Sequence, residues 1–261
     1  MDKGSRQPAM GKAMLDARLL LAYEMIPFCQ ICADIGADHG KLSAALLSEG
    51  RVQHMLVADI SEKALLKARK LLTYGRLADQ ATFFVADGLF ALKALDGQRA
   101  DAVCILGMGG DTMARVLTQG KQFLYGATLV LGAQTELPVL RQALCDVGYR
   151  LREECPVEAS GRMYILMRAT PQKSGEAVYT RRELLLGPCL LETCPREWEP
   201  VLRRRETLLR KAQMAMEQAQ NQKNEERIAA VIQELAYVRE ALAMLEDRAR
   251  REGKHDGSGN L

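Results

Sequence analysis

The stretch "ADIGADHG", Ala33–Gly40, joins the apolar run "CQIC" before it to the helical pattern "KLSAALL" after it. A strand, a glycine-containing loop and a helix in this order are typical of the first unit of a nucleotide-binding α/β sheet. The two glycines of this loop, Gly36 and Gly40, lie among two carboxylates and a histidine. The stretch therefore predicts an α/β fold, and its negative charge limits which ligands the loop can accept.

Apolar runs and helical patterns alternate along the chain on both sides of this loop. Short continuous apolar strands separated by helices imply a parallel sheet covered on both faces, and right-handed crossovers make that sheet doubly wound. Ser61 and Gly75 fit the start and the stop of one of the intervening helices. The strand-like runs are "ICADI", "HMLVADI", "ATFFVAD", "DAVCILG" and "ATLVLGA".

The pattern changes in residues 149–169, which contain no helical segment. They are interpreted as two strands joined by a turn near Ala159–Gly161, and such strands pair antiparallel. We therefore predict a mostly parallel, seven-stranded, Rossmann-like sheet of the methyltransferase type, which ends in an antiparallel hairpin.

After Pro171 the strands stop, and two long helical patterns follow at residues 196–220 and 224–250. In the second pattern the apolar residues alternate spacings of three and four, which is typical of a coiled-coil seam, and the first pattern offers a matching set of apolar residues. The break at Asn221–Asn224 permits a hairpin, so we predict an antiparallel two-helix coil. The seam residues are Leu202, Leu209, Ala212, Met216 and Ala219 in the first pattern, and Ile228, Val231, Leu235, Val238, Leu242, Leu245 and Ala249 in the second. We place the sheet domain at residues 1–170, a helical linker and coil at 171–252, and a disordered tail at 253–261.

Composition narrows the class of protein. The 261 residues are 48% hydrophobic with a net charge of +3, which allows an anionic partner without requiring one. The sequence has no apolar run of about 18 residues and no apolar signal core near its start, so we expect a cytoplasmic protein without a membrane span.

The seven cysteines suggest reduced thiols, and we interpret the C-x-x-C at Cys29 and Cys32 as part of a buried strand. With three histidines in all, we predict no metal site.

Polar or glycine-rich residues follow four of the predicted strands, and in a doubly wound sheet these strand ends surround the ligand. Each group alone also fits a tight turn, and Asp59 or Asp87 could instead cap the helix that follows it. Together they predict one site at one edge of the sheet. The residues are Asp34 and Gly36, then Asp59 and Ile60, then Asp87 and Gly88, and finally Gly107, Met108, Gly109 and Gly110.

The acidic loop decides between two classes of cofactor. A dinucleotide presents a pyrophosphate, which Asp34 and Asp38 would repel. S-adenosyl-L-methionine has no phosphate, and its sulfonium and ammonium groups suit nearby carboxylates. Asp59 suits its ribose diol, and Asp87 suits its adenine amino group. The residues therefore predict S-adenosyl-L-methionine as the cofactor.

Three motifs resemble those of the bacterial tRNA (adenine(22)-N1)-methyltransferases. They stand as "CADIGADHGKL", "VADGLFAL" and "ILGMGGDTM". The likeness continues through "GRMYIL", the linker "LLLGP" at Leu184–Pro188 and the helical hairpin, so it covers nearly the whole chain. The resemblance implies a class I methyltransferase that transfers a methyl group to N1 of adenosine 22 in tRNA.

The resemblance also implies roles for individual residues. Asp38 and His39 would be catalytic, with Asp38 stabilising the positive charge that appears on adenine. Cofactor ligands would be Asp34, Gly36, Asp59, Ile60, Asp87, Gly88 and Gly107. Substrate contacts would be Met108, Gly109, Gly110 and Gln134. Independently of the resemblance, three basic clusters could hold tRNA phosphates: Arg181 and Arg182, then Arg203, Arg204 and Arg205, then Arg210 and Lys211. The chain departs from the family at Lys41, at Ser43 and at residues 132–134, and we expect these positions to face the substrate.

Other interpretations of the chain remain open at this point. The interleaved acids of the coil also fit a solvated face that does not contact phosphate. The chain could be a small-molecule methyltransferase whose coil serves dimerisation, or a non-catalytic RNA-binding adaptor that kept the fold. For the tRNA enzyme we expect a monomer, with a homodimer through the coil as the alternative, and no membrane or metal partner. The missing Asn/Asp-Pro-Pro-aromatic turn after the fourth strand argues against methylation at N6.

Overall fold

The computed structural model of the protein describes residues 11–218 and 225–255. The chain forms two units, Met1–Ala177 and Val178–Leu261. The first unit contains the whole sheet, whereas the second consists of helices.

Seven strands form one sheet in the order β3-β2-β1-β4-β5-β7-β6. The first five strands are parallel, and β7 pairs antiparallel with both β5 and β6. The predicted sheet with its terminal antiparallel hairpin is therefore confirmed. The strands are β1 Cys29–Ile35, β2 Val52–Asp59, β3 Ala81–Val85, β4 Ala102–Leu106, β5 Thr128–Gly132, β6 Tyr149–Ala159 and β7 Arg162–Pro171.

Helices connect the strands of the first unit. Ser61 begins α3 by accepting a hydrogen bond from the amide of Ala64, and Gly75 ends it, as the sequence predicts. The segment after β3, Gly88–Leu95, is a 3-10 helix. The α-helices are α1 Ala17–Met25, α2 Lys41–Ser48, α3 Glu62–Tyr74, α4 Gly110–Gly120 and α5 Leu137–Asp146.

The central strands are buried on both faces, which explains why their sequences are continuous apolar runs. Residues 32–35 of β1 are all buried, and Asp34 is the charged exception among them. The strand order reverses between β1 and β4, and a sheet of this kind leaves a crevice for ligands at that point. The buried acid therefore lies on one of the two strands that border the crevice.

A buried ion pair joins α5 to β6 in the first unit. Arg141 Nε donates to Glu154 Oε1 over 2.8 Å, and the two side chains are 1% and 0% exposed. Charges this deeply buried require a partner, since their desolvation costs several kcal/mol for each ion. The pair therefore fixes the helix against the antiparallel end of the sheet.

Two short helices open the second unit, where the sequence predicts a linker at Leu184–Pro188. Thr180 and Glu183 form a capping box that starts α6, Arg181–Leu186. Gly187, with φ of 106°, separates α6 from α7, Pro188–Thr193. The unit continues with α8, Glu199–Gln218, and α9, Glu225–His255.

Helices α8 and α9 form the predicted antiparallel pair. Their direction follows from two ion pairs, Arg203 with Glu246 and Arg205 with Glu234. The buried residues of the seam are Leu202, Leu209, Leu235, Val238, Leu242 and Leu245. Ala249 is exposed, so its assignment to the seam is wrong.

Parts of the predicted coil lie outside the described residues. These parts are the proposed turn at Asn221–Asn224 and the seam residue Ala219. Helix α9 continues to His255, three residues into the predicted tail, and residues 256–261 also lie outside the described range. Of the helices in the described parts of the chain, none has the length and the apolar character that a bilayer span requires.

Candidate active site

A cavity of about 530 Å³ opens at the carboxyl edge of the sheet, where the strand order reverses. Its volume lies within the usual range for small-molecule sites. Eight of the predicted site residues line it, which brings together groups at the ends of β1, β2, β4 and β5. They are Asp34, Gly36, Asp38, His39, Asp59, Gly107, Met108 and Gln134.

Asp34 is the buried acid of this cavity. Its side chain accepts a hydrogen bond of 2.7 Å from Ser43 Oγ, and Ser43 is itself buried in α2. Burial raises the pKa of Asp34 to about 6, the hydrogen bond from Ser43 opposes that rise, and the charge of Asp59 adds to it. A cation in the cavity would stabilise the ionised form of this carboxyl group.

Gly36 makes the loop after β1 accessible to a ligand. It has φ of +75°, and a Cβ at this position would collide with the methyl group of Met108. The amides of Gly36 and Ala37 both donate to the carbonyl oxygen of Ala58, which ties the loop to the end of β2. The backbone is therefore held in a conformation that favours glycine, and it can be approached closely from the cavity.

Asp38 and His39 form a short chain of polar contacts at the edge of the cavity. Asp38 Oδ2 lies 2.6 Å from His39 Nδ1, and His39 Nε2 lies 3.3 Å from Lys67 Nζ. Both contacts are satisfied by a neutral imidazole that carries its proton on Nδ1. Asp38 has φ of 43°, and its side chain is 67% exposed. Its carboxylate is thus oriented by His39 while it stays open to an incoming molecule.

Asp59 is the last residue of β2. From the sequence it could either cap the next helix or face a ligand, and the structure fits both roles. Its Oδ1 accepts from the amide of Ser61 over 2.8 Å, which supports the turn into α3. Its Oδ2 accepts from the amide of Asp38 over 3.4 Å, and the side chain lines the cavity. The carboxylate therefore organises the loop and also faces the ligand space.

Five of the site residues predicted in the sheet unit do not line the cavity. Ile60 is 72% exposed. Oδ2 of Asp87 lies 3.7 Å from Nη1 of Arg115 in α4. A Cβ on Gly88 would lie 2.9 Å from Val116, so this glycine permits close packing. The other two, Gly109 and Gly110, pack on the turn between β5 and α5. Their assigned roles in binding stay predictions.

The turn after β4 ends in two glycines because it packs closely on the turn after β5. The amide of Gly110 donates to the carbonyl oxygen of Thr135 over 2.9 Å, and a Cβ on Gly110 would collide with the backbone of Glu136. Gln134 donates its own amide to the carbonyl oxygen of Met108 over 2.9 Å. These contacts hold the ends of β4 and β5 together and present Met108 and Gln134 to the cavity.

The sheet and cavity match a known protein family. The family model described as "Methyltransferase domain" matches residues 15–167, which is more than half of the chain. The chain belongs to this methyltransferase family.

A relative of this methyltransferase extends the match beyond the sheet. The tRNA (adenine(22)-N(1))-methyltransferase of Bacillus subtilis is 25% identical over 228 residues, which cover 84% of this chain and 94% of the relative. The resemblance to the bacterial tRNA (adenine(22)-N1)-methyltransferases is thereby confirmed.

Solved structures agree with the fold. The B. subtilis m1A22 tRNA methyltransferase superposes with a TM-score of 0.79 at 22% identity, over 87% of this chain and 98% of that one. The M. capricolum enzyme in complex with S-adenosyl-homocysteine gives a TM-score of 0.76 at 20% identity, over 89% and 99% of the two chains. At these identities the likeness demonstrates the shared fold of the methyltransferase.

The positions at which the methyltransferase departs from its family do not all face the cavity. Ser43 is buried and holds Asp34, and Gly132 and Ala133 are buried as well. The expectation that these three face the substrate is wrong, because α2 and β5 turn them into the protein. Lys41 and Gln134 do line the cavity.

Sequence analysis missed the contribution of α1 to the site. Asp16, which caps α1, lines the cavity with Arg18 and Leu19 of the helix, next to residues at the ends of β1, β2, β4 and β5. In the sequence, Arg18 is a polar residue between the apolar residues Leu15 and Leu19, which are at helical spacing. No local signal could identify it, because the contact arises from the packing of α1 against the sheet.

Cysteines and metal ligands play no part in this cavity. Cys29 and Cys32 lie in β1, and burial raises the pKa of the Cys29 thiol to about 11 and that of Cys32 further above its usual range. Such thiols stay protonated and are poor nucleophiles. Within residues 11–218 and 225–255, no cluster of three or more His, Cys, Asp or Glu side chains could hold a metal ion.

The predicted phosphate contacts lie on α8 of the second unit. Arg203 pairs with Glu199 and Glu246, and Arg205 pairs with Glu234. No ion pair among the described residues includes Arg204. Of the three arginines, Arg204 is therefore the one whose charge no described carboxylate neutralises.

Proposed function

We propose that this methyltransferase transfers a methyl group from S-adenosyl-L-methionine to N1 of adenosine 22 in tRNA. The observation that carries the proposal is the extent of the match to the B. subtilis enzyme, which spans 94% of that relative. A match of this length includes the helical unit as well as the sheet. The proposal therefore rests on the complete architecture and not on the catalytic fold alone.

The residues of the cavity fit the proposed cofactor. S-adenosyl-L-methionine supplies an electrophilic methyl group on a sulfonium ion, and carboxylates suit that positive charge. Asp34 and Asp59 provide two acids in one cavity, and the glycine loop at Gly36 leaves room for the ligand. We assign the ribose diol to Asp59, with Ile60, Asp87 and Gly88 beyond it on the adenine side and Gly107 on the opposite side.

Asp38 is the proposed catalytic carboxylate. Adenine N1 has a free lone pair, so the reaction needs no base to activate the nucleophile. Positive charge develops on the adenine as the methyl group arrives, and a fixed carboxylate near N1 or N6 stabilises that charge. His39, 2.6 Å from Asp38, holds the carboxylate in place. Holding the base in line with the methyl group supplies much of the remaining rate.

The turns after β4 and β5 form the proposed substrate side of the cavity, and the coil is proposed separately to contact tRNA phosphates. We assign contacts with the target base to Met108, Gly109, Gly110 and Gln134. Base pairing occupies N1 in folded tRNA, so the base must leave its pair at a cost of a few kcal/mol. Arg203, Arg204 and Arg205 are the proposed phosphate contacts, with Arg204 as the leading residue since the other two are paired with glutamates.

The location and assembly of the enzyme belong to the same proposal. A tRNA substrate favours a cytoplasmic enzyme. We propose a monomer, because the seam of the coil is used between α8 and α9. A homodimer through the exposed faces of the coil is the alternative, and sedimentation of the purified protein separates the two.

The proposed reaction is tested by incubating the protein with methyl-labelled cofactor and unmodified tRNA, followed by nucleoside analysis. We expect 1-methyladenosine as the labelled product, and no label in a tRNA whose adenosine 22 is replaced by guanosine. Label at N6, or equal label in the altered tRNA, would contradict the proposal. Cofactor binding without transfer to any tRNA would support the adaptor or small-molecule alternatives instead.

A further inference from the structure

Helix α3 and the turn after it carry a local excess of positive charge. Residues 62–76 contain five lysines and arginines and one acid, Glu62, whereas the whole chain has 36 such cations and 33 acids. Among the ion pairs within residues 11–218 and 225–255, none includes any of these five cations. The charge of this helix is therefore not neutralised by described acids, and it is available to an anion from outside the chain.

Three of the five cations lie in one row along α3. Lys63, Lys67 and Lys70 are all exposed, and their spacings of four and three residues place them on one side of the helix. The row spans about 10 Å, at a rise of about 1.5 Å per residue. The buried residues of the helix lie on its opposite side, and they are Leu65, Ala68 and Leu72. The three lysines are called the α3 lysine row below.

The α3 lysine row adjoins the loop that contains the proposed catalytic carboxylate. A Cβ on Gly40 would lie 2.7 Å from the Cβ of Ala68, so this loop packs directly on α3. Nζ of Lys67 lies 3.3 Å from Nε2 of His39, and His39 lines the cavity. Because α3 begins three residues after Asp59, which also lines the cavity, the row extends from the edge of the cavity along the outside of the sheet unit.

We propose that the α3 lysine row binds the phosphate backbone of the tRNA strand next to the target nucleotide. The inference rests on the proposed function, since it requires that an RNA base enters this cavity. A strand of a nucleic acid duplex carries one phosphate for about each 3.4 Å of its axis, so a row of about 10 Å spans about three phosphates. A lysine is a point charge on a flexible stem, which suits contacts that position a strand without reading its sequence.

The position of the row favours RNA over a membrane or an acidic protein as its occupant. Lys67 contacts a residue at the edge of the cavity, so anything that covers the row also covers the approach to that edge. A membrane or a protein on this side would obstruct the entry of the target base. The backbone of an RNA, in contrast, is covalently joined to that base and must continue over the surface beside the cavity.

The test is filter binding of unmodified tRNA to the full-length protein over a range of salt concentrations. The variant combines Lys63→Gln with Lys70→Gln and leaves Lys67 in place, because Lys67 contacts His39. The slope of log affinity against log salt should fall by about 1.4 to 1.8, since each lost phosphate contact removes about 0.7 to 0.9. In methyl transfer, KM for tRNA should rise with little change in kcat, as for a contact made equally before and in the transition state. Affinity for S-adenosyl-homocysteine should stay near wild type.

The matched control combines Lys93→Gln with Lys121→Gln. These two changes remove the same charge from the same unit, and both lysines are exposed. Neither of them lines the cavity. The control should therefore change the salt slope much less than the variant of the α3 lysine row does.

Three results would overturn the inference while the proposed function stands. The first is an unchanged salt slope in the variant of the α3 lysine row, and the second is an equal change in the control. The third is binding of the wild-type protein to phosphatidylglycerol vesicles that the variant loses while its tRNA binding stays unchanged, which would assign the row to a membrane surface. Failure of the wild-type protein to bind and methylate tRNA would overturn the proposed function and this inference together.

Discussion

The cavity of the sheet unit and the coil of the helical unit use their charged residues in opposite ways. In the sheet unit, Arg18, Asp34 and Asp59 face one cavity, and no ion pair within the described residues includes any of them. In the helical unit, most arginines of α8 and α9 pair with glutamates. These pairs are Arg203 with Glu199 and Glu246, Arg205 with Glu234, Arg210 and Arg239 with Glu206, and Arg248 with Glu252.

The difference separates two uses of charge. A charge that no neighbouring charge neutralises remains available to a ligand, and in a cavity it also recognises the sign of that ligand. Exposed pairs along a coil orient the helices and contribute little to recognition. We therefore expect the cofactor to be recognised in the cavity. Because most arginines of the coil are held by glutamates, few of them are available to phosphate.

The largest expected effect is on the free energy of unfolding, and it concerns the buried ion pair of Arg141 and Glu154. Glu154→Gln leaves the charge of Arg141 buried beside a neutral amide, which should lower the free energy of unfolding by about 3–5 kcal/mol. Urea denaturation measures this loss. Glu246→Gln, which breaks an exposed pair of the coil, is the matched control and should change stability far less. Similar losses in both variants would remove the distinction between buried and exposed pairs.

Asp38→Asn tests the proposed catalytic carboxylate. The variant keeps the shape of the side chain and loses its charge, so methyl transfer should slow by about 10²–10³, which is about 3–4 kcal/mol. Single-turnover rates with saturating cofactor measure the effect, and affinity for S-adenosyl-homocysteine should change much less. Parallel loss of cofactor binding and rate would instead make Asp38 a cofactor ligand.

The pKa of Asp34 predicts how stability depends on pH. Its pKa of about 6 in the folded protein lies above the ordinary value of 3.8, so between these values the folded protein holds a proton that the unfolded chain has released. The free energy of unfolding should therefore fall as pH rises through this window, by on the order of 3 kcal/mol. Unfolding measured from pH 4 to 7 should show this component in wild type and lack it in Asp34→Asn.

Because the pKa of Asp34 is raised, we expect cofactor binding to release a proton from this carboxyl group. The cationic methionine end favours ionised Asp34, so affinity for S-adenosyl-L-methionine should rise as pH passes through 6. Calorimetry at pH 6 in two buffers with different ionisation enthalpies measures the released fraction. Identical heats in both buffers would contradict this linkage.

A smaller effect is expected at Arg204 of the coil. Arg204→Gln should reduce the slope of log affinity for tRNA against log salt by about 1, the value for one lost phosphate contact. Arg203→Gln is the control, because its guanidinium is already held by Glu199 and Glu246. Filter binding between low and physiological salt measures both slopes. Equal changes would mean that the ion pairs of the coil open when tRNA binds.

Most of the fold could be predicted because its signals are local. Continuous apolar runs mark the buried parallel strands, and Ser61 and Gly75 mark the ends of α3. The two short helices before the coil were missed because six residues are too few to establish a helical period. The capping box of Thr180 and Glu183 was the available signal for the first of them.

The site was predictable where its residues follow strands and unpredictable where distant elements enter it. Asp34 and Asp59 end adjacent parallel strands, so the sheet brings them together. Arg18 enters from a helix that precedes the sheet in sequence, and only the packed fold reveals its position. Ser43 was wrongly expected to face the substrate because it departs from the family pattern. In the structure it supports Asp34 through a hydrogen bond.

Calorimetric titration of S-adenosyl-homocysteine into wild type, Asp59→Ala and Arg204→Gln tests the central claim most directly. The claim is that the acidic cavity, and not the coil, recognises the cofactor. Asp59→Ala should weaken binding by roughly 1–3 kcal/mol, the scale of a lost hydrogen bond to a charged group. Arg204→Gln should bind the ligand as wild type does. Unchanged affinity in Asp59→Ala, or a comparable loss in Arg204→Gln, would contradict the account.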